Sequence, residues 1–179
     1  MIYISVVSHG HDDLILELGC LPQLEKHSDI KVILKNNYQH IDTNLAKFCQ
    51  SNNIDFIDEA YGLGFGENNN YTFNYAVNSL GLTDDDYFLV LNPDVCVEPA
   101  AILSAVKAAQ EASSELTTLN LFKDENFEFF DNCVRKFPSA FDFLSSYVGL
   151  GNKTILDKSK VTKAMQTDWA AGSFLLFKA

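Results

Sequence analysis

The chain has 179 residues, 47% of them hydrophobic, and its 13 lysines and arginines against 24 aspartates and glutamates give a formal net charge of −11. That length can fill one sizeable core, and the apolar fraction is ordinary for a globular protein. The acidity excludes a nucleic-acid footprint, which needs clustered basic residues, so an anionic ligand would need local help from backbone N–H groups, a helix N-terminus or a metal ion.

Residues 2–7 (IYISVV) form a short apolar run that reads as a buried strand. No basic segment precedes it, so a signal peptide is not expected, and no apolar run approaches the ~18–20 residues of a membrane span. Asp12 and Asp13 open an amphipathic helix with Leu14, Ile15, Leu18, Leu21 and Leu24 at helical spacing. KVIL (31–34) is a second strand, ending at Asn36-Asn37, and Ile41, Leu45, Phe48 and Cys49 mark a second helix. IDFID (54–58) is a third strand, followed by the Gly-rich loop GLGFGENNN and a helix from about Tyr71 to Leu80. DYFLVL (86–91) is a fourth strand behind a solvated Asp84-Asp85-Asp86 turn, and Pro99 begins a helix that turns Ile102, Leu103, Val106 and Ala109 inward. Farther on the pattern weakens. NFEFF (126–130) reads as a strand, residues 137–149 as a helix, and DWAAGSFLLFKA ends strand-like. Cys20, Cys49, Cys96 and Cys133 form no CxxC pair, so metal or redox spacing is absent and reduced thiols in a cytosolic compartment are expected.

Strands and helices alternating with short connections indicate an α/β layered fold with a largely parallel sheet. Ligands of such sheets bind beyond the carboxyl ends of the strands, which gathers residues 8–13, 36–38, 62–70 and 92–94 on one edge. There YFLVL runs into Asn92-Pro93-Asp94. Pro93 has no N–H for a ladder and holds Asn92 extended, so Asp94 is presented just past a central strand. It serves there as a ligand contact or as a turn cap.

Other motifs carry two readings each. GLGFG lacks the third glycine of a dinucleotide fingerprint, since Glu67 or Asn69 stands where it would fall, and it follows the third strand rather than the first. His9-Gly10-His11-Asp12 has no cysteine partner for a zinc site, leaving a ligand-contacting loop or a helix-capping turn. Trp169 and Phe174 are core residues or a sugar platform, and Arg135-Lys136 is a solvated pair or a contact for an acceptor phosphate.

Taken together, VVSHGHDDLI (6–15), LGFGENNN (63–70), DDDYFLVLNPDV (84–95), VRKFPSAFDFL (134–144) and DWAAGSFLLF (168–177) resemble, in order, the motifs of family 2 glycosyltransferases of the GT-A fold, and most closely their rhamnosyltransferase branch. The resemblance implies a Rossmann-like three-layer α/β/α domain with a largely parallel, mixed sheet. It implies one domain over 1–179, with a nucleotide-sugar-binding half over 1–98 and an acceptor-side half over 99–179. Ser8, His9, Asn36, Gly64, Phe65, Gly66, Asn69, Asn70, Asn92 and Asp94 would contact the donor, with Asp94 as ligand to Mg²⁺ or Mn²⁺. Asn36 stands where the family often has an aspartate, and Asn68 where a glycine is usual in the G-F-G-x-G-N-N element. Arg135, Trp169 and Gly172 fall on the acceptor side.

The implied activity is inverting transfer of a sugar, L-rhamnose among the candidates, from dTDP-rhamnose or a UDP-sugar to a cell-surface or lipid-linked glycan, in the cytoplasm or peripherally at the inner membrane face. The family's usual base lies in an acidic E-D motif beyond the matched segments, and the sequence reaches Ala179 without one. Asp168 is the one acid near the matched acceptor-side segment. The alternative expectation is therefore a nucleotide-sugar-binding fragment or subunit without turnover. A sugar-phosphate nucleotidyltransferase would want a G-x-G-T-R-like loop where SHGHDD stands.

Overall fold

A computed structural model describes residues 1–39, 44–139, 147, 156, 158–161 and 163–179. They form two compact units, Met1–Thr117 with Ser173–Ala179, and Thr118–Gly172.

The first unit is built on β1 (Ile2–Ser8), β2 (Ile30–Asn36), β3 (Asp55–Ile57), β4 (Tyr87–Leu91), β5 (Leu116–Thr117) and β8 (Phe174–Lys178), in the sheet order β3-β2-β1-β4-β8-β5. β1 is parallel to β2 and β4, and β2 to β3, whereas β8 runs antiparallel to β4 and β5. The mixed, mostly parallel sheet expected from the sequence is therefore present. Side chains alternate across it with a period of two. Tyr3, Ile33, Ile57, Phe88 and Val90 pack in one cluster with Ala76 and Leu82, while the opposite parity, Ile4, Val6, Val32, Leu34, Leu89 and Leu91, is buried as well. Burial of both parities explains why these strands read as unbroken apolar runs. Cys49 is buried with them, and burial pushes its thiol up to about 12.

The helices are α1 (Asp12–Leu18), α2 (Leu21–Glu25), α3 (Asn44–Ser51), α4 (Phe65–Tyr75), which continues as a π-helical turn over Ala76–Leu80, and α5 (Pro99–Ala112). Three expectations change here. The first helix is split, because Gly19 takes φ 59° and returns its N–H to Ile15 O, and Pro22 lies in the first turn of α2. The Gly-rich stretch is helical from Phe65 rather than from about Tyr71. The Glu67 carboxylate accepts the Gly64 N–H (2.8 Å), and Asn68 and Asn69 bond back onto carbonyls of residues 63–65, so residues that read as a loop complete a helix start. Asp86 is not a solvated turn residue: it is buried and accepts the Met1 ammonium (2.6 Å) and the Thr83 N–H and Oγ1–H (2.9 Å each).

The cysteine expectation is also corrected. Cys20 and Cys96, 76 residues apart in sequence, are joined in a disulfide with their Cα atoms 5.7 Å apart, leaving Cys49 and Cys133 as buried thiols. Spacing alone could not reveal a pair brought together by the crossing of β4 past β1.

In the second unit β6 (Val134–Arg135) pairs antiparallel with β7 (Trp169–Ala170). The strand expected over 126–130 is instead a turn closed by an isolated Phe122–Phe130 bridge. Asp124 accepts the N–H groups of Glu128 (3.1 Å) and Phe129 (2.7 Å), and Phe127 takes φ 57°. A carboxylate that satisfies the local backbone competes with a ladder. The helix expected over 137–149 falls mostly outside the described residues.

Candidate functional site

The chain lays β2 and β3 on one side of β1 and then crosses to lay β4 on the other. Such a reversal of winding opens a crevice beyond the carboxyl ends of the two central strands. A cleft of about 440 Å³ lies there, floored by Val7 of β1 and by Val90 and Leu91 of β4. His9, His11 and Leu14 form one wall, and Leu63, Phe65, Asn68 and Asn69 another. Asn37 and the Asn92-Pro93-Asp94 turn complete the rim.

Of the donor-side residues expected from the sequence, His9, Phe65, Asn69, Asn92 and Asp94 line this cleft, and Ser8, Asn36, Gly64, Gly66 and Asn70 do not. Ser8 is buried, donating to Asp12 Oδ1 (2.7 Å) and accepting the His11 N–H (3.1 Å), so it shapes the loop. Gly64 is the extended N-cap residue of α4 and Gly66 lies within the helix, while Asn70 is exposed. Asn36 turns away to donate to Asp58 Oδ1 (2.8 Å).

Its neighbour Asn37 was not singled out, yet it ties the rim together. It is 2% exposed. Its N–H donates to Ser8 O (2.8 Å), and its C=O accepts the Gly62 N–H (3.0 Å). Its Nδ2 donates to Leu63 O (2.9 Å) and meets His9 Nδ1 (2.9 Å), and its Oδ1 accepts the Leu63 N–H (3.0 Å). The strand period of two was the available signal, since it sends Asn36 and Asn37 to opposite faces. His11, part of the loop read as ligand-contacting or helix-capping, also lines the cleft, as does Asn68, which was not named as a contact.

Beneath this rim, Lys35 is fully buried. Its Nζ donates to the carbonyls of Asn36 (3.3 Å), Glu59 (3.1 Å) and Ala60 (3.0 Å) and lies 5.4 Å from the Tyr71 ring centroid. Burial lowers its pKa, against the opposing pull of Glu59 and Asp58. The ammonium holds Ala60 in a left-handed conformation (φ 51°) that a non-glycine residue seldom adopts.

Two features give the cleft chemistry. Gly64 has no side-chain oxygen to cap α4, so the first-turn N–H groups are left for an anion, with the Glu67 carboxylate folded back onto the Gly64 N–H beside them. Asp94 is exposed at the rim and has no partner among the described residues. The described residues hold no group of three or more His, Cys, Asp or Glu placed for a metal. His11 Nδ1 accepts the His9 N–H (3.1 Å), which ties these two residues into the loop rather than into a zinc set. One carboxylate suits a hard cation whose remaining ligands are phosphate oxygens and water.

The residues expected on the acceptor side, Arg135, Trp169 and Gly172, lie in the second unit. Arg135 and Trp169 face each other across β6 and β7, with the guanidinium 5.5 Å from the indole ring. Asp168 accepts the Phe137 N–H (3.2 Å), and Gly172 lies in the turn after β7.

No protein-family model matches the chain. Among curated proteins, it is 36% identical over 180 residues to the rhamnosyltransferase WbbL of Escherichia coli (strain K12), an alignment that spans 99% of this chain and 66% of that protein. Among solved structures, 4-diphosphocytidyl-2C-methyl-D-erythritol synthase matches 99% of this chain over 75% of its own, with TM-score 0.56 and 15% identity. The mannosyltransferase PcManGT from Pyrobaculum calidifontis, in complex with GDP-Man and Mn²⁺, matches 99% of this chain over 44% of its own, with TM-score 0.51 and 14% identity. These two likenesses concern the fold alone.

Proposed function

Because the chain belongs to the rhamnosyltransferase-like branch of the family 2 glycosyltransferases, we propose that its cleft binds a nucleoside-diphosphate sugar and that the protein transfers the sugar, L-rhamnose being the favoured candidate, to a cell-surface or lipid-linked glycan with inversion. The observation that carries this reading is the exposed carboxylate of Asp94 at the winding reversal, beside the open N-terminus of α4. A diphosphate brings concentrated negative charge to a chain of net charge −11. The α4 N–H groups would meet part of that charge. Mg²⁺ or Mn²⁺, held by Asp94 and the phosphate oxygens, would supply the rest and stabilise the leaving diphosphate.

His9, Phe65, Asn69 and Asn92 would shape the donor site, with Ser8, Asn36, Gly64, Gly66 and Asn70 supporting it from outside the lining. Arg135, Trp169 and Gly172 are assigned to the acceptor, whose hydroxyl needs a carboxylate base; Asp168 is the candidate in this chain. No helix among the described residues is long and apolar enough to cross a membrane. We place the reaction in the cytoplasm, at the inner membrane face where lipid-linked acceptors would be reached, a compartment in which a disulfide such as Cys20–Cys96 is the exception.

The test is thermal stabilisation, since a ligand that binds the folded state raises the melting temperature. UDP, GDP or dTDP should raise it with Mg²⁺ or Mn²⁺ and fail to do so in EDTA. Equal stabilisation in EDTA would remove the metal from the reading. If none of the three stabilises the chain under any condition, the donor site itself is refuted.

A further inference from the structure

We propose that Asn68 sets the cleft's specificity: its side-chain oxygen accepts a hydrogen bond from a hydroxyl of the bound nucleotide-sugar. The inference rests on the reading above and assigns a role to a residue that reading leaves unused.

Asn68 lines the cleft and is 2% exposed. Both hydrogens of its amide are spent, with Nδ2 donating to Leu63 O (2.8 Å) and Gly64 O (3.0 Å). That pairing fixes the amide, because the flipped arrangement would set an oxygen against two carbonyls. Its Oδ1 is then left buried with no partner, and among the described residues it is the one buried side-chain nitrogen or oxygen in that condition.

The other buried asparagines of the cleft show that this is not a property of the residue type. Asn69 Oδ1 accepts from Ser5 Oγ (2.9 Å) while its Nδ2 donates to Phe65 O (2.9 Å), and both ends of the Asn37 amide are engaged. A buried acceptor without a partner is costly, and native proteins keep one where a ligand or an ordered water completes it. A neutral carbonyl oxygen needs a hydrogen-bond donor. Phosphate oxygens are acceptors and cannot supply one, whereas the hydroxyls of a ribose or of a transferred sugar can, as can a base N–H, which a deoxy analogue separates from a hydroxyl. This is also the position at which the sequence departs from the G-F-G-x-G-N-N pattern, where glycine would bring no acceptor at all.

The experiment measures dissociation constants in Mg²⁺ for UDP, GDP and dTDP, and for UDP-glucose, GDP-mannose and dTDP-rhamnose, on the wild-type chain and on Asn68→Ala. The tightest nucleotide-sugar should lose about 10-fold in affinity in the variant. An equal loss for its parent nucleoside diphosphate places the donor on the nucleoside, and an unchanged nucleoside diphosphate identifies the transferred sugar. Asn68→Ala also removes the two bonds to Leu63 and Gly64, so the decision falls to the ligand side. A deoxy analogue lacking the contacted hydroxyl should bind wild type about 10-fold more weakly than the parent ligand does, and should bind Asn68→Ala as well as the parent does. Deoxygenation that costs the same in both proteins overturns the inference and leaves the donor site standing. Absence of binding by all six ligands to wild type overturns both.

Discussion

At the end of β2, Asn37 is buried and every polar group it carries is engaged with residues 8, 9, 62 or 63, whereas at the end of β4 Asp94 stands exposed with no partner among the described residues. Both follow a central strand and both reach the same cleft. The difference is one of use. A polar group whose bonds are complete stabilises the frame and has nothing left for a ligand, while a carboxylate kept out of the frame is available at small cost to folding. The Asn92–Asp94 turn is positioned instead by backbone bonds, Asn92 N–H to Ser173 O (3.0 Å) and Val95 N–H to Asn92 O (3.1 Å), and by the Cys20–Cys96 link two residues beyond Asp94.

The strongest way to break this contrast is to cut the covalent link. Cys96→Ser should lower stability by about 2–4 kcal/mol, the usual range for a native disulfide closing a long loop. It should also weaken Mg²⁺-dependent nucleotide binding, since Asp94 loses its anchor. Chemical denaturation and calorimetry on the same sample read both effects. Asn37→Ala should cost about 2–3 kcal/mol, because it removes three side-chain bonds and strands the Leu63 N–H, while Leu63 C=O keeps only the bond from Asn68 Nδ2. A cost below ~0.5 kcal/mol, the level of an ordinary surface substitution, would show that the β2 rim is not held as described.

Asp94→Asn should do the reverse, leaving stability within ~0.5 kcal/mol while weakening Mg²⁺-dependent nucleotide affinity 10-fold or more. A loss near ~1 kcal/mol with unchanged affinity would make Asp94 a turn cap.

The opposite end of β4 gives the smallest effect and a control. Burial pushes the Asp86 carboxyl up, but the Met1 ammonium and the Thr83 N–H and hydroxyl outweigh it and hold the pKa below its ordinary 3.8. A depressed carboxyl contributes stability that is full above its unfolded value and is lost as pH falls through its folded one. Melting curves below about pH 4 should therefore fall more steeply for the wild-type chain than for Asp86→Asn, with nucleotide binding at neutral pH unchanged in the variant.

Much of the frame was legible because burial on both faces writes itself as apolar runs, as in IYISVV, KVIL and YFLVL, and because Pro99 marks a helix start. What escaped reading depended on partners distant in sequence or on side chains closing onto backbone. Nothing local distinguishes Asp86 from Asp84 and Asp85 until Met1 is brought beside it. The helical start at Phe65 depends on Glu67, Asn68 and Asn69 bonding to carbonyls and N–H groups of residues 63–65, which composition reads as a loop. The failed strand at 126–130 has the right residues, but Asp124 takes the N–H groups that a ladder would need. Within the site, Asp94 could be singled out from Pro93 and the strand before it. For Asn37 the period of two separates it from Asn36 but no more, because its role rests on contacts with two separate loops, residues 8–9 and 62–63.

The sheet has one more property with a consequence for how such a protein can diversify. Thr117 of β5 pairs with Leu176 of β8, and the 55 residues of the second unit, Thr118–Gly172, leave and rejoin the sheet between these neighbours. Thr117 and Ser173 therefore stand only ~10 Å apart at ~3.3 Å per strand residue, and closing a longer or shorter excursion there changes the entropy by only ~0.6 kcal/mol per doubling of length. The excursion is in effect a cassette. By this arithmetic its length can grow or shrink at little cost while the six strands keep their register.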